Sequence, residues 1–400
     1  MIMKRISLKH KKKVALVVSG GAVKAACFHV GVCLALERKG IQFTGGIKGK
    51  SRKNRREFPL TINTYVGSSS GAIIAAFLAS GYSLESIIDS FLERSNQKSK
   101  YSVPKLHYRD LFHLAKPNLA KYFRFLQKDI PRMAMGSLEA FFKNHLSFGG
   151  IFTTQGIERY LRTRALVTNN FEDLSSDLFI VSTQLDYPFK TIFCNKKWLK
   201  PNPDHHAIYE NSISISEAAA ASTALPPIYQ PYPIKIEDKT IYHYDGEIRE
   251  TLSTHVAKDN GCDLIIASYT HEPYHFHPAV GSLAQYGISS VVIQSIYQAI
   301  EQKIHTSQRL FKTKRIALNV VHEFFKENKL PEQKRRELCE MLETKLNYDK
   351  NLDYIFISPR PQDYRLFLAD HFNLSTAHMR HIVNSGFKSA LACLRNYDFS

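Results

Sequence analysis

A chain of 400 residues with 44% apolar side chains has the make-up of a globular protein, with room for one large α/β domain or two ordinary ones. Fifty-four Lys and Arg against 36 Asp and Glu leave a formal charge of +18, which points to anionic partners and carries no information about fold. No stretch approaches the roughly 18 continuous apolar residues of a membrane span, which sets aside an integral membrane protein.

The chain opens as MIMKRISLKHKKKVALVVSGGAVK, a basic segment before a short apolar run. That run, Val14–Val18, is too short for a signal peptide, and Lys24 interrupts the small and apolar residues after it. Residues 1–11 are therefore read as a basic N-terminal arm and 12–400 as the catalytic domain. A cytoplasmic protein, peripheral to membranes at most, is expected. The six cysteines (Cys27, Cys33, Cys194, Cys262, Cys339 and Cys393) form no close pair of the C-x-x-C kind. They read as buried free thiols in a reducing compartment.

Val14–Val18 (VALVV) is the continuous β-branched run of a strand buried on both faces. Ser19-Gly20-Gly21-Ala22-Val23-Lys24 turns the corner, and a helix is predicted from about Ala25 to Lys39, ending at Gly40. A basic loop over 44–58 comes next. Thr61–Ser80 (TINTYVGSSSGAIIAAFLAS) then reads as strand, sharp turn and helix. Ser83 caps a further helix with apolar residues at helical spacing. The stretch 97–148 is irregular, aromatic and basic, and GIERYLRTRAL predicts a helix. Leu178–Ser182 and Thr191–Cys194 are predicted strands, and Asn211–Ala224 an Ala/Ser-rich helix stopped by Pro226-Pro227. Thr240–Tyr244 and Leu264–Ser268 read as buried strands and 283–346 as charged helix. Asp353–Ser358 is a last strand and Thr376–Tyr397 a last helix. Strands alternating with helices argue a mostly parallel sheet covered on both faces, a three-layer α/β/α sandwich.

The chemistry concentrates at Gly67-Ser68-Ser69-Ser70-Gly71. A G-x-S-x-G turn between a strand and a helix lifts the central hydroxyl, Ser69 Oγ, clear of the backbone beside a helix N-terminus. Side chains at Gly67 or Gly71 would crowd that junction. A flexible linker would be flanked by polar sequence, whereas this segment is clamped between apolar runs. Two other pieces complete a candidate site. The Gly20–Val23 turn offers backbone N–H groups for an oxyanion, and it lacks the pattern of a Walker loop or a dinucleotide fingerprint. Tyr244-Asp245-Gly246 puts a carboxylate at a strand end, although a strand-end Asp-Gly is also an ordinary turn.

Together these pieces resemble the patatin-like phospholipases. Ser19–Ala25 is similar to that family's S-G-G-G-x-[KR]-G loop, Gly67–Gly71 to its G-x-S-x-G, and Asp245-Gly246 to its D-G-[GA]. Ile215–Pro227 (ISEAAAASTALPP) and Gly386–Leu394 resemble the helices before that Asp and at the end of the domain. The resemblance runs from about Lys12 to Tyr397, with loops 44–58 and 97–148 and the helical region 283–346 specific to this chain. It implies a lipid acyl hydrolase with a Ser-Asp dyad and no cofactor or metal. In this reading Ser69 attacks the ester and Asp245 takes its proton. The Gly20, Gly21, Ala22 and Val23 amides hold the oxyanion, and Lys24, Gly67, Gly71 and Gly246 support the motifs. The partners implied are a phospholipid or other lipid ester and, through the basic loops, an anionic membrane surface, with no nucleic acid expected.

Three positions depart from the family pattern. Ala22 and Ala25 stand where glycines are usual, which is tolerable if both keep φ below zero. Glu247 stands where Gly or Ala is usual, with Arg249 as a possible ion-pair partner. An α/β-hydrolase triad using His255, His271, His305 or His371 is an alternative. So is a non-catalytic relative that binds anionic lipid or nucleic acid. The basic loop Lys48–Arg56 and the amphipathic segment Asn118–Arg132 are candidate membrane contacts or simply solvated surface. His271, His275 and His277 lack a partner carboxylate motif, so a metal is not expected there.

Overall fold

The computed structural model describes residues 6–49, 60–92, 102–115, 150–199, 207–236, 238–249 and 251–399. Most of the basic loop 48–56 and the whole of segment 118–132 lie outside those residues.

The first buried run is β2 (Val14–Val18), and its alternation divides the molecule. Val14, Leu16 and Val18 face one core, while Ala15 and Val17 face a second. A strand apolar on both faces belongs at the centre of a covered sheet. Here β2 lies between β4 (Leu60–Ser68) and β12 (Leu264–Ser268), parallel to both. Beyond β12 comes β13 (Asp353–Ile357), also parallel. On the other side β4 pairs in parallel with β3 (Ile41–Phe43) and β7 (Asp177–Gln184). The sheet then turns antiparallel, through β8 (Lys190–Phe193) and β11 (Lys239–Asp245) on β7 and β10 (Tyr232–Ile236) on β11. A short β9 (Ala207–Glu210) runs parallel to β8 and completes ten strands. The expected mostly parallel α/β/α architecture is present, with an antiparallel flank that period and composition did not announce.

Helices cover both faces. On the larger core lie α1 (Ala22–Arg38), α2 (Ser70–Ala79), α3 (Leu84–Leu92), α4 (Gln155–Tyr160) and α5 (Ile215–Ser222). The second core is closed by α6 (Thr254–Asp259) and by Ile304 of α7 (Ile288–Glu327), with α8 (Glu332–Lys345) next in the chain. The last helix, α9 (Thr376–Leu394), packs on α1 backbone to backbone. A Cβ added at Gly31 would lie 2.0 Å from Val383 O, and one at Gly386 2.1 Å from Phe28 O. These glycines fix the depth at which the two helices nest.

Some expectations shift. Thr240–Tyr244, read as a buried strand, runs antiparallel with much of its length exposed. The GIERYLRTRAL helix ends in a π turn over Leu161–Ala165. Residues 6–11 of the expected arm are tied down. A short β1 (Ile6–Ser7) pairs with Tyr397–Asp398, Leu8 is fully buried, and Lys11 Nζ reaches Asp353 Oδ2 at 2.6 Å. No described helix is long and apolar enough to cross a membrane.

Candidate active site

At the end of β4 the chain reverses into α2 through Ser69, which carries φ 53° and ψ −128°. Such a conformation is costly for a residue with a Cβ, by about 1–3 kcal/mol, and persists only when its surroundings enforce it. They do so through backbone contact. A Cβ at Gly67 would meet Gly71 O at 2.5 Å, and one at Gly71 would meet Val18 O at 2.3 Å. The Ser69 N–H donates to Ser222 Oγ at 2.8 Å, and that hydroxyl donates to Val181 O at 2.5 Å. Nothing in the small-residue run of α5 marked Ser222 in advance.

β4 and β11 follow one another along the same edge of β7, with β8 on the other edge, so that Val181 lies opposite Ser68 and Ser182 opposite Asp245. The ends of β4 and β11 therefore meet on one edge of β7, which brings Ser69 and Asp245 together. The Ser69 hydroxyl is close enough to the Asp245 carboxylate to act on it as a donor and lower its pKa. A second donor, the Glu247 N–H, lies 2.9 Å from Asp245 Oδ1. Gly246 permits this turn, because a Cβ there would sit 2.2 Å from Val181 O. Asp245 is buried, and burial pushes its pKa up to about 6, against the lowering effect of the Ser69 and Glu247 hydrogen bonds. Desolvation disfavours the charged carboxylate, so it becomes a stronger base than a free Asp.

The third piece is the turn from β2 into α1. Gly21 has φ 128° and Ala22 has φ 54°. The condition of a negative φ is therefore not met at Ala22: the chain curls through the left-handed region to start α1 at Ala22 rather than at Ala25. Ala25 lies within the helix and meets no such demand. As first residues of α1, Ala22 and Val23 have N–H groups with no acceptor inside the helix. The Gly20 N–H, in contrast, donates to Glu247 Oε1 at 3.0 Å. Lys24 is buried, its Nζ donating to Tyr297 Oη at 3.2 Å, and Tyr297 hydrogen-bonds His371 Nε2 at 2.8 Å. Burial lowers the Lys24 pKa to about 7.

Ser69 opens onto a cleft of about 930 Å³, open mouth included, lined with Ala22, Val23, Ile73, Phe77, Leu106, Tyr229, Phe372 and Met379 among others. Its wall is overwhelmingly apolar, as a site for hydrocarbon chains requires.

Residues 16–258, more than half of the chain, match the family described as Patatin-like phospholipase. The chain belongs to the patatin-like phospholipases. Membership supports lipid acyl hydrolase activity in general. No curated protein matches the chain. Among solved structures, this patatin-like phospholipase is similar to VipD from Legionella pneumophila at 13% identity and a TM-score of 0.37, over 97% of this chain and 67% of that one.

The histidines of this patatin-like phospholipase have other company. His271 stacks edge-on against Tyr297 at 5.3 Å between ring centres, His371 bonds Tyr297, and Lys190 Nζ lies 2.6 Å from His255 Nε2. The groups that act on the Asp245 carboxylate are Ser69 and the Glu247 amide, with no imidazole among them. Of the histidine cluster, His275 is joined by its near neighbour Glu272 and, through the fold, by Glu301 of α7. Atoms of Glu272, His275 and Glu301 lie within 4.8 Å of one another, a geometry compatible with a metal ion. All six cysteines are free thiols, and all but Cys393 are buried.

Proposed function

We propose that the chain cleaves carboxylic ester bonds of phospholipids or related lipids through a Ser69–Asp245 dyad and an acyl intermediate. The observation that carries this reading is the closeness of the Ser69 hydroxyl to a buried carboxylate, at the wall of an apolar cleft.

With the fatty acyl chain in the cleft, Ser69 Oγ attacks the ester carbonyl carbon and its proton passes to Asp245. Negative charge develops on the carbonyl oxygen, next to the Gly20–Val23 loop. The N–H groups of Gly21, Ala22 and Val23 and the N-terminus of α1 lower its energy, while the Gly20 N–H is engaged by Glu247 at rest. Collapse of the tetrahedral species breaks the ester bond, and the departing alcohol takes the proton from Asp245. Water then attacks the acyl carbon, gives a proton to Asp245, and the fatty acid leaves as Ser69 recovers its hydrogen. A base with a pKa of about 6 is ionised at neutral pH and still strong enough to assist a hydroxyl.

Lys24, Gly67, Gly71 and Gly246 hold the framework rather than touch the ester. The +18 charge favours docking at an anionic membrane surface, and free thiols fit a reducing, cytoplasmic setting. The test is hydrolysis of phospholipid vesicles by the wild type, Ser69→Ala and Asp245→Asn. Each substitution is expected to lower kcat by on the order of 10³-fold or more, and Ser69→Ala to abolish fluorophosphonate labelling. Full activity in Ser69→Ala overturns the assignment of the nucleophile, and a wild type that binds the vesicles without hydrolysing them leaves lipid binding as the function.

A further inference from the structure

One carboxyl group in the site takes no part in those reaction steps. Glu247 is buried two residues beyond Asp245 and touches both halves of the site. Its Oε1 accepts the Gly20 N–H at 3.0 Å, and its own N–H donates to Asp245 Oδ1 at 2.9 Å. The packing is tight: a Cβ on Gly20 would meet Ser69 Cβ at 2.7 Å and Glu247 Cγ at 2.9 Å. A single residue thus straps the amide loop to the carboxylate that faces Ser69.

We propose that Glu247 is a positioning residue that holds the oxyanion loop while it carries a proton and shuts the reaction off at alkaline pH when it loses it. The proposal rests on the Ser69–Asp245 reading. A neutral carboxyl accepts from Gly20 N–H through its carbonyl oxygen and places no net charge beside the forming oxyanion. An ionised one puts a negative charge one amide away from that oxyanion, in a buried site where like charges repel strongly. The groups facing the Glu247 carboxyl are the Gly20 and Leu252 amides, the Ser68 hydroxyl and Asp245, and of these Asp245 is the charged one. Burial first, and the Asp245 charge second, raise the Glu247 pKa to about 8, while Asp245 stands at about 6. Between those values Asp245 is the ionised partner and Glu247 the protonated one, so activity rises through the lower and falls through the upper.

The experiment tracks kcat and KM on a phosphatidylcholine substrate in mixed micelles from pH 5 to 10, for the full chain and for Glu247→Gln and Glu247→Ala. Fluorophosphonate labelling rates are taken on the same samples, and labelling at pH 7 reports that each variant is folded. The wild type is expected to give a bell. Glu247→Gln, which keeps an oxygen for Gly20 and never ionises, retains the acid limb and loses the alkaline one, with plateau kcat lowered about three- to tenfold and KM unmoved. Glu247→Ala also lacks the alkaline limb and loses more kcat, because the loop is untethered. An alkaline limb that persists in Glu247→Gln, or a wild-type profile flat from pH 7 to 10, overturns the proposal while leaving the dyad standing. A wild type that neither labels nor turns over sinks the dyad itself.

Discussion

Ser222 Oγ accepts the backbone N–H of Ser69 at 2.8 Å and passes its own hydrogen to the Val181 carbonyl at 2.5 Å. One hydroxyl thereby pins the strained turn to β7, the strand along whose edge β4 and β11 bring Ser69 and Asp245 together. Removing it in Ser222→Ala leaves a buried N–H and a buried carbonyl without this partner, which costs about 1–3 kcal/mol. The expected result is a lower melting temperature together with a fall in kcat of about tenfold or more as Ser69 drifts from the carboxylate. Thermal denaturation and turnover measured on one preparation check both halves.

Ala22 makes the opposite prediction. Its φ of 54° places a Cβ where glycine is at ease, so Ala22→Gly relieves local strain by about 1 kcal/mol. A rise in the denaturant midpoint with unchanged slope is expected. Unaltered or lowered stability would mean that the Ala22 methyl, which lines the cleft, contributes more by packing than its backbone loses.

The nesting of α1 on α9 gives a third. At Gly31 and Gly386 an added methyl has no room, because backbone carbonyls stand 2.0 and 2.1 Å from where it would go. Gly31→Ala and Gly386→Ala are each expected to destabilise by about 1–3 kcal/mol or more, since helices must separate to admit them. Circular dichroism melting curves measure this, and a neutral effect at both sites would contradict the close contact.

The pH dependence of stability has its source in Glu247. Its folded pKa, about 8, lies above its ordinary value of 4.5, so the folded state holds this proton more tightly than the unfolded chain. Its favourable contribution is complete below the ordinary value and is lost as pH climbs towards 8. Asp245 acts in the same direction over a window ending near 6. Glu247→Gln, which cannot ionise, is expected to gain melting temperature relative to the wild type steadily from pH 5 to 8. A constant difference across that range would show that the carboxyl is not desolvated.

Local signals were sufficient wherever the backbone itself dictated the residue. Gly67 is required by contacts inside one strand–turn–helix unit and Gly71 by the end of the neighbouring β2, and their spacing around Ser69 was legible at once. The five apolar residues of β2 and the four of β12 belong in a covered sheet. Asp245-Gly246 was visible as a pair, although its use as a turn or as a base could not be read from two residues. Strands as short as Ile41–Phe43 and Tyr397–Asp398 escaped notice because two or three residues carry no periodicity, and a neighbouring edge supplies their hydrogen bonds.

What the sequence by itself determined was the elbow, the class of fold and the reacting side-chain types, all signalled by patterns within about ten residues. Only the tertiary structure decided that β7 would set the separation of Ser69 and Asp245, that Ser222 would hold the turn, and that Glu247 would take the Gly20 amide. Each of those is a hydrogen bond between residues distant in the chain, and a hydroxyl or carboxyl has no preferred partner until the sheet has brought one to it and removed the water.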